Sequence, residues 1–172
     1  MSGLFSCRVM QVSDLDDVLR IQSEAYLDEM VESGAIIAAR LDNVPDTCWV
    51  VEGEQGVCGY LVGYLSHKGA VTPWGSEFAH KRDADHLYLH DLAISKSAAG
   101  CGLGPLLVNH ALLQAKSRRL VGAALVSVQD SRGFWQKMGF NEFVGLTPAQ
   151  QQHLDSYTGP AFYMTQGFAI NQ

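Results

Sequence analysis

One segment constrains this chain more than any other: HLYLHDLAISKSAAGCGLGPLLVNHALL, residues 86–113. From His86 to Ile94 it alternates, with Leu87 and Leu89 against Tyr88 and His90, the period of a strand. Glycines follow at 100, 102 and 104, and Leu106, Leu107, Val108, Ala111, Leu112 and Leu113 then recur as in a helix from about Leu103 to Lys116. A strand feeding a glycine turn that opens a helix belongs to a mixed α/β layer structure. The free N–H groups at such a helix start, together with its dipole, favour an anion, and glycine lets the backbone approach a phosphate closely. Two readings therefore stand on the glycines alone: a pyrophosphate cradle, or a tight turn that merely starts a helix. A nucleoside triphosphate loop is excluded, because Gly104 is followed by Pro105 and not by Lys-Ser/Thr. The dinucleotide fingerprint also fits poorly, since this loop reads G-x-G-x-G in mid-chain.

The remaining elements are read around this centre. Leu4 to Val12 reads as a first strand, and the SDLD run at Ser13 offers a helix start followed by Leu15, Val18, Leu19 and Ile21. A second helix is expected from about Asp28 to Arg40. Cys48–Val51 and Val57–Leu65 form a hairpin about Gly53-Glu54-Gln55-Gly56. His67 to Asp85 is long, polar and irregular, and loops of that length are often functional. Ala123–Val128 reads as a strand, Ser131–Met138 as a short helix ended by Gly139, Pro148–Ser156 as a polar helix or loop, and Ala161–Thr165 as a closing strand.

The 172 residues suit a single domain, 1–172, and 47% hydrophobic residues supply a sizeable core. A net charge of −6, with 12 basic residues in no cluster, argues against nucleic-acid and anionic-membrane partners. No apolar run reaches the ~18 residues of a membrane span, and MSGLFSCRVMQVSD lacks a signal-like apolar stretch. The four cysteines, at 7, 48, 58 and 101, form no CxxC pair and read as reduced thiols of a cytoplasmic protein. No metal site is expected: along a strand His86 and His90 stand roughly 13 Å apart.

Leu92-Ala93-Ile94, four residues and then Ala99-Gly100-Cys101-Gly102-Leu103-Gly104 resemble the coenzyme motif of the GCN5-related N-acetyltransferase (GNAT) family: L-A-V, four residues, Arg/Gln-Gly-x-Gly-x-Gly/Ala. Downstream, SRGFWQKMGF is similar to that family's FYEKLGF segment, with Phe134, Lys137, Gly139 and Phe140 in place. The resemblance spans nearly the whole chain. It implies a mixed, mostly antiparallel central sheet flanked by helices, and acetyl transfer from acetyl-CoA, as co-substrate, to an amine acceptor by direct attack in a ternary complex. It also implies that the backbone of Leu92, Ala93 and Ile94 pairs with the pantetheine arm. Backbone N–H groups from Ala99 to Gly104, namely Ala99, Gly100, Cys101, Gly102, Leu103 and Gly104, would hold the pyrophosphate, and Ser131 and Phe134 would border the coenzyme.

Two residues depart from the pattern. Ala99 replaces the usual Arg or Gln, a loss of about 1 kcal/mol if backbone donors dominate. Trp135 stands where most members carry the Tyr that protonates the leaving thiolate, and an indole cannot serve as that acid near neutral pH. A thiol pKa near 8.5 leaves catalysis feasible without it.

Among catalytic candidates, His90 matches the strand histidine that aralkylamine acetyltransferases place three residues before the Ala of L-A-V, and a histidine there suits removal of a proton from the amine. It can equally be a satisfied strand histidine. Asp91 is the alternative acid that orders water; by parity it lies with Leu87 and Leu89 unless a bulge displaces it. In this fold the turn between the first two helices borders the acceptor, so Glu24, Tyr26 and Glu29, with Asp28 and Glu32, either hold a cationic amine or form a solvated helix surface. Trp74 and its loop cap the same groove or make a subunit contact, with a homodimer as the candidate assembly. Cys101 reads as a small filler. The rival function is a non-catalytic acyl-CoA-binding module, motivated by Ala99 and Trp135; a structural domain that has lost the coenzyme fits the three glycines less well.

Overall fold

The computed structural model describes residues 4–76 and 79–169, except for the Glu29 side chain. Seven strands form one sheet in the order β1-β2-β3-β4-β5-β7-β6. They are β1 (Ser6–Val9), β2 (Cys48–Gly53), β3 (Gly56–Ser66), β4 (His86–Ile94), β5 (Gly122–Ser127), β6 (Asn141–Glu142) and β7 (Phe162–Gly167). Every neighbouring pair is antiparallel except β4–β5, which is parallel. The mixed, mostly antiparallel sheet expected from sequence is the one found.

Helices α1 (Leu15–Ala25) and α2 (Gly34–Asn43) cover one face, and α3 (Leu103–Ser117) and α4 (Arg132–Lys137) the other. Alternate strand residues feed two cores. Tyr60, Val62, Tyr64 and Tyr88 pack with Val18, Ile21, Ile37 and Leu41. Leu61, Leu87 and Leu89 pack with Leu107, Val108, Ala111 and Trp135. A last helix, α5 (Pro148–Asp155), opens on Thr147, whose hydroxyl accepts from Gln150 N, and adds Leu154 to the first core.

The helix expected over 28–40 is two pieces. Asp28–Met30 is one 3₁₀ turn, the chain then extends, and α2 starts at Gly34 because Ser33 caps it, its Oγ accepting from Ile36 N at 3.3 Å. That break gives Glu32 an extended position from which it points inward, only 8% exposed. The first strand is shorter than read from sequence, since Val12–Asp14 already turns toward α1. Among the described residues no helix is long and apolar enough to cross a membrane.

Candidate active site

The site begins with a fault in β4. Val62 pairs with Asp91 but Gly63 pairs with Leu89, so His90 is an extra residue opposite the β3 ladder. The bulge resets the alternation. Asp91 leaves the parity of Leu87 and Leu89 and joins the face of Tyr60, while its neighbour His90 also turns to that side, stacked 6.4 Å from Tyr88. Of the two positions left open for Asp91 in the sequence, the one displaced by a bulge is the one found.

The bulge also parts two strands. β4 and β5 pair only from His86↔Gly122 to Leu89↔Leu125, while β5 stays paired with β7 along its whole length. Ser95 N donates to Cys58 O (2.8 Å), which sets the phase of the β3–β4 ladder. By alternation Ala93 faces Tyr60 on β3, while the N–H and C=O groups of Leu92 and Ile94 face the gap. Of the three expected backbone partners, Ala93 is therefore engaged within the sheet. The gap is a slot of about 220 Å³, lined by Leu92, Ala93, Ile94, Ser131, Phe134 and Trp135 among others. Trp135 is buried and edge-on to both Phe134 and Phe140, so it forms the slot wall.

At the end of β4, Gly100 and Gly102 take φ of +81° and +74°, and Gly102 caps α3 from the left-handed region. A Cβ at Gly104 would lie 3.4 Å from the Phe134 ring. Ala99 N and Cys101 N already donate to Lys96 O (3.2 Å) and Ala98 O (3.3 Å). Of residues 99–104, Gly100 and the first-turn Gly102, Leu103 and Gly104 keep N–H groups without such an acceptor among the described residues. Cys101 is exposed and faces a different cavity, one between Arg20 and the β2–β3 turn.

A buried polar cluster closes the inner end of the slot. Tyr60 donates its hydroxyl to Asp91 Oδ2 (2.8 Å), and Tyr26 donates to Leu92 O (2.9 Å) beside the same carboxylate. Burial pushes the Asp91 carboxyl above its usual range, against the lowering by Tyr26 and Tyr60. His90 Nε2 lies 3.3 Å from Glu32 Oε1, and Arg40 holds Glu32 through two bonds of 2.7 and 2.6 Å. Burial alone would raise Glu32, but the hydrogen bonds from His90 and Arg40 outweigh it and bring its pKa to about 2. The side-chain amide of Gln22 fixes the Glu32 backbone on both sides, at 3.1 and 2.9 Å. Strongly shifted groups around a cleft are the usual mark of a functional site.

A second, smaller cavity of about 40 Å³ lies beyond His90, between Met30, Trp74 and Tyr157. Tyr26, His90 and Asp91 border both cavities. The other acceptor candidates are elsewhere. Glu24 accepts from Ser95 Oγ (3.0 Å) and Lys96 N (3.1 Å) and so braces the start of the glycine loop. The Glu29 side chain lies outside the described residues. Glu32, met in the sequence only as one acid among several, proves to be the partner of His90; Gln22, Arg40, Tyr60 and Tyr157 were not anticipated. Among the described residues no group of three His, Cys, Asp or Glu side chains is placed to hold a metal ion.

A slot between splayed parallel strands, continued by a glycine loop at a helix start, defines a domain shaped for an extended ligand with an anionic end. The model of the Acetyltransferase (GNAT) family matches residues 14–140, and the chain belongs to that family. A comparison with curated protein sequences gave no match. Among solved structures, the fold is similar to the GphF GNAT-like decarboxylase in complex with isobutyryl-CoA, at 18% identity and a TM-score of 0.78, covering 94% of this chain and 98% of that one. It is similar to the loading GNATL domain of CurA from Lyngbya majuscula, at 13% identity and TM-score 0.77, over 96% and 98% of the chains. It is also similar to the PaiA N-acetyltransferase from Thermoplasma acidophilum in complex with coenzyme A, at 15% identity and TM-score 0.68, over 96% and 99%.

Proposed function

We propose that the protein is an acetyl-CoA-dependent N-acetyltransferase acting on a primary amine. The observation that carries this is the meeting of the two cavities at Tyr26, His90 and Asp91. Acetyl-CoA supplies the acyl group as an activated thioester. Along the slot, Leu92 and Ile94 offer strand-edge backbone groups to the pantetheine amides, and the N–H groups of Gly100 and Gly102–Gly104 face the pyrophosphate. The Leu92 carbonyl is already taken by Tyr26, which leaves the Leu92 N–H to polarise the thioester carbonyl.

An amine arrives as an ammonium ion and must lose a proton before it attacks. His90 stands at the junction to accept it, and Glu32 stabilises the imidazolium that results, as a carboxylate behind a histidine base does. As the N–C bond forms the C–S bond breaks; the departing sulfur accepts one proton, and His90 returns the other to solvent. Attack is direct, because no cysteine lines either cavity and the Ser131 hydroxyl already donates to Val128 O (2.7 Å). Trp135 gives shape to the thiol end and no proton.

A second reading follows from the similarity to a GNAT-like decarboxylase. Decarboxylation of an acyl-CoA calls for a cation to hold the free carboxylate; among the described residues no lysine or arginine lines either cavity, and Arg40 is clamped to Glu32. The arrangement favours amine transfer. A third, the non-catalytic coenzyme binder, leaves the buried cluster beyond the slot without a use. The test is a panel of amines incubated with acetyl-CoA while thiol release and acetylated product are measured. Amine-dependent release supports the transferase. Tight coenzyme binding without release on any amine supports the binder, and loss of carbon dioxide from a carboxyacyl-CoA supports the decarboxylase.

A further inference from the structure

Three of the four cysteines, scattered in the sequence, are gathered by the fold. Cys7 on β1 and Cys58 on β3 pack at the margin of the core beneath α3, and Cys101 lies in the glycine loop that opens that helix. Cys48 is buried in the other core. Cys58 is the extra residue of a second fault in the sheet: Val51 pairs with Gly59 and Glu52 with Val57, which leaves Cys58 without an opposite number on β2. Its half-buried thiol donates to Val51 O at 3.5 Å. Backbone bonds in series bring the glycine loop back to it. Ser95 N donates to Cys58 O (2.8 Å), Ala98 N to Ser95 O (3.0 Å) and Cys101 N to Ala98 O (3.3 Å). Cys58 and Cys101 consequently open into one cavity of about 420 Å³, which Arg20, Gly53 and Ser97 also line. Burial, and after it the charge of Cys101, raise the Cys58 thiol above its usual range.

Geometry selects Cys101 over Cys7 as the partner of Cys58. Cys7 and Cys58 stand on strands separated by β2, two strand spacings or roughly 9.6 Å apart. A disulfide spans at most ~7 Å between Cα atoms, and neither strand can leave its ladder. Cys101 instead stands between Gly100 and Gly102, at φ of +81° and +74°, and a Cβ at either would meet nothing within 4 Å. Glycine freedom on both sides, in open space, lets this segment turn. Cys101 is also exposed, so it meets an oxidant before Cys58 does.

We propose that Cys58 and Cys101 form a reversible disulfide under peroxide, and that this bridge takes the glycine loop out of its coenzyme-binding shape. The Cys101 sulfur attacks the O–O bond of hydrogen peroxide; it becomes a sulfenic acid, and its proton leaves with the other oxygen as water. The Cys58 sulfur then attacks the sulfenic sulfur. The S–S bond forms, and the sulfenic oxygen departs with the Cys58 proton as a second water. Two thiols lose two electrons and one peroxide gains them. Dithiothreitol reverses the bridge by thiol exchange. The bond requires Cβ atoms about 3.8 Å apart, which draws Cys101 toward β3. Gly100 and Gly102 must turn to permit this, and their N–H groups are the ones assigned to the pyrophosphate. The effect on the coenzyme rests on the proposed acetyl-CoA reading; the bridge itself does not.

The test uses the full chain, reduced or treated with hydrogen peroxide, in two arms. In the first, remaining thiols are blocked with iodoacetamide and the peptides are mapped by mass spectrometry. A linked Cys58–Cys101 pair, lighter by two hydrogens and lost in dithiothreitol, is expected. A Cys7–Cys58 link, a dimer joined through Cys101, or Cys101 carried on to a sulfinic acid with Cys58 still a thiol overturns the bridge. In the second arm, calorimetry with acetyl-CoA is expected to show affinity at least 10-fold weaker after oxidation and restored by dithiothreitol. Cys58→Ser is expected to bind as the reduced wild type does and to keep its affinity within two-fold after peroxide, which separates the bridge from oxidation elsewhere. Recovery in dithiothreitol makes the same separation on the wild type, without need of the variant. A mapped bridge with unchanged affinity overturns the effect on the loop. Absence of acetyl-CoA binding by the reduced wild type overturns the coenzyme reading and that effect together, and the peptide map still decides the bridge.

Discussion

The two halves of the site are built from different materials. The proposed coenzyme half is backbone: the Leu92–Ile94 strand edge, glycines at positive φ and the first turn of α3. The proposed acceptor half is side chain: Asp91, His90, Glu32, Arg40 and Tyr26, drawn from β4, α2 and the turn between α1 and α2. Backbone offers the same groups whatever the residue, so on the proposed reading the first half tolerates Ala99 where a long polar side chain is usual. The second has no such tolerance, because each buried polar atom depends on a named partner. Substitutions that separate the halves test this contrast directly.

The largest effect is expected at His90. His90→Gln should lower kcat by about 10²–10⁴-fold, the usual cost of losing a general base. Coenzyme affinity measured by calorimetry should stay within a few-fold. Loss of both together would show that the halves are one unit. A turnover within a few-fold of wild type would move proton removal to Asp91 or water.

Next comes the ion pair behind it. Arg40 is 1% exposed, and Arg40→Met leaves Glu32 buried without its cation, a change expected to cost about 3–5 kcal/mol in chemical denaturation at neutral pH. The pH dependence has a definite sign. Glu32 has its folded pKa depressed to about 2, so its contribution is full above its ordinary value near 4.5 and is lost as pH falls from there toward 2. Asp91 acts oppositely: its carboxyl is raised by burial, so it lowers stability as pH climbs above the ordinary carboxylate range. Glu32→Gln should abolish the acid-side loss assigned to Glu32, and an unchanged acid limb of the denaturation curve would contradict that assignment.

Gly102→Asp should weaken acetyl-CoA binding by about 10–100-fold, because it forces a side chain into the left-handed region and sets a negative charge at the start of α3. Turnover at saturating coenzyme should recover much of its wild-type value if the halves are separable. The smallest effect is expected at Trp135. Trp135→Phe keeps an apolar wall against Phe134 and Phe140 and should retain kcat within a few-fold; a complete loss with folding and binding intact would give the indole N–H a larger part.

This contrast also explains what could be read from the sequence. The coenzyme half was legible because it is local: strand, glycines and helix start follow one another between His86 and Lys116. Strand β4 was legible from its alternation and α3 from its helical spacing. Three things were not. The bulge at His90 leaves no compositional mark, since the residues before and after it alternate acceptably in either register. The His90–Glu32 pair joins positions 58 residues apart, and Glu32 looked like any acid of a charged turn. Glu24, its equal in sequence, braces Ser95 and Lys96 instead. The break after Met30 that separates their fates was hidden by a helical pattern running through it, and Ser33 was its only local sign.

The inserted residue in β4 acts on side chains as a frameshift acts on codons. Everything N-terminal to His90 is read in one phase and everything C-terminal to it in the other, up to the glycine loop. Deleting that single position would restore a regular ladder in which Asp91 and Ala93 still face α1 and Leu92 and Ile94 still face α3. The same correction would let β4 run on beside β5 and close the slot between them. The slot is thus encoded as a miscount of one in an otherwise regular ladder.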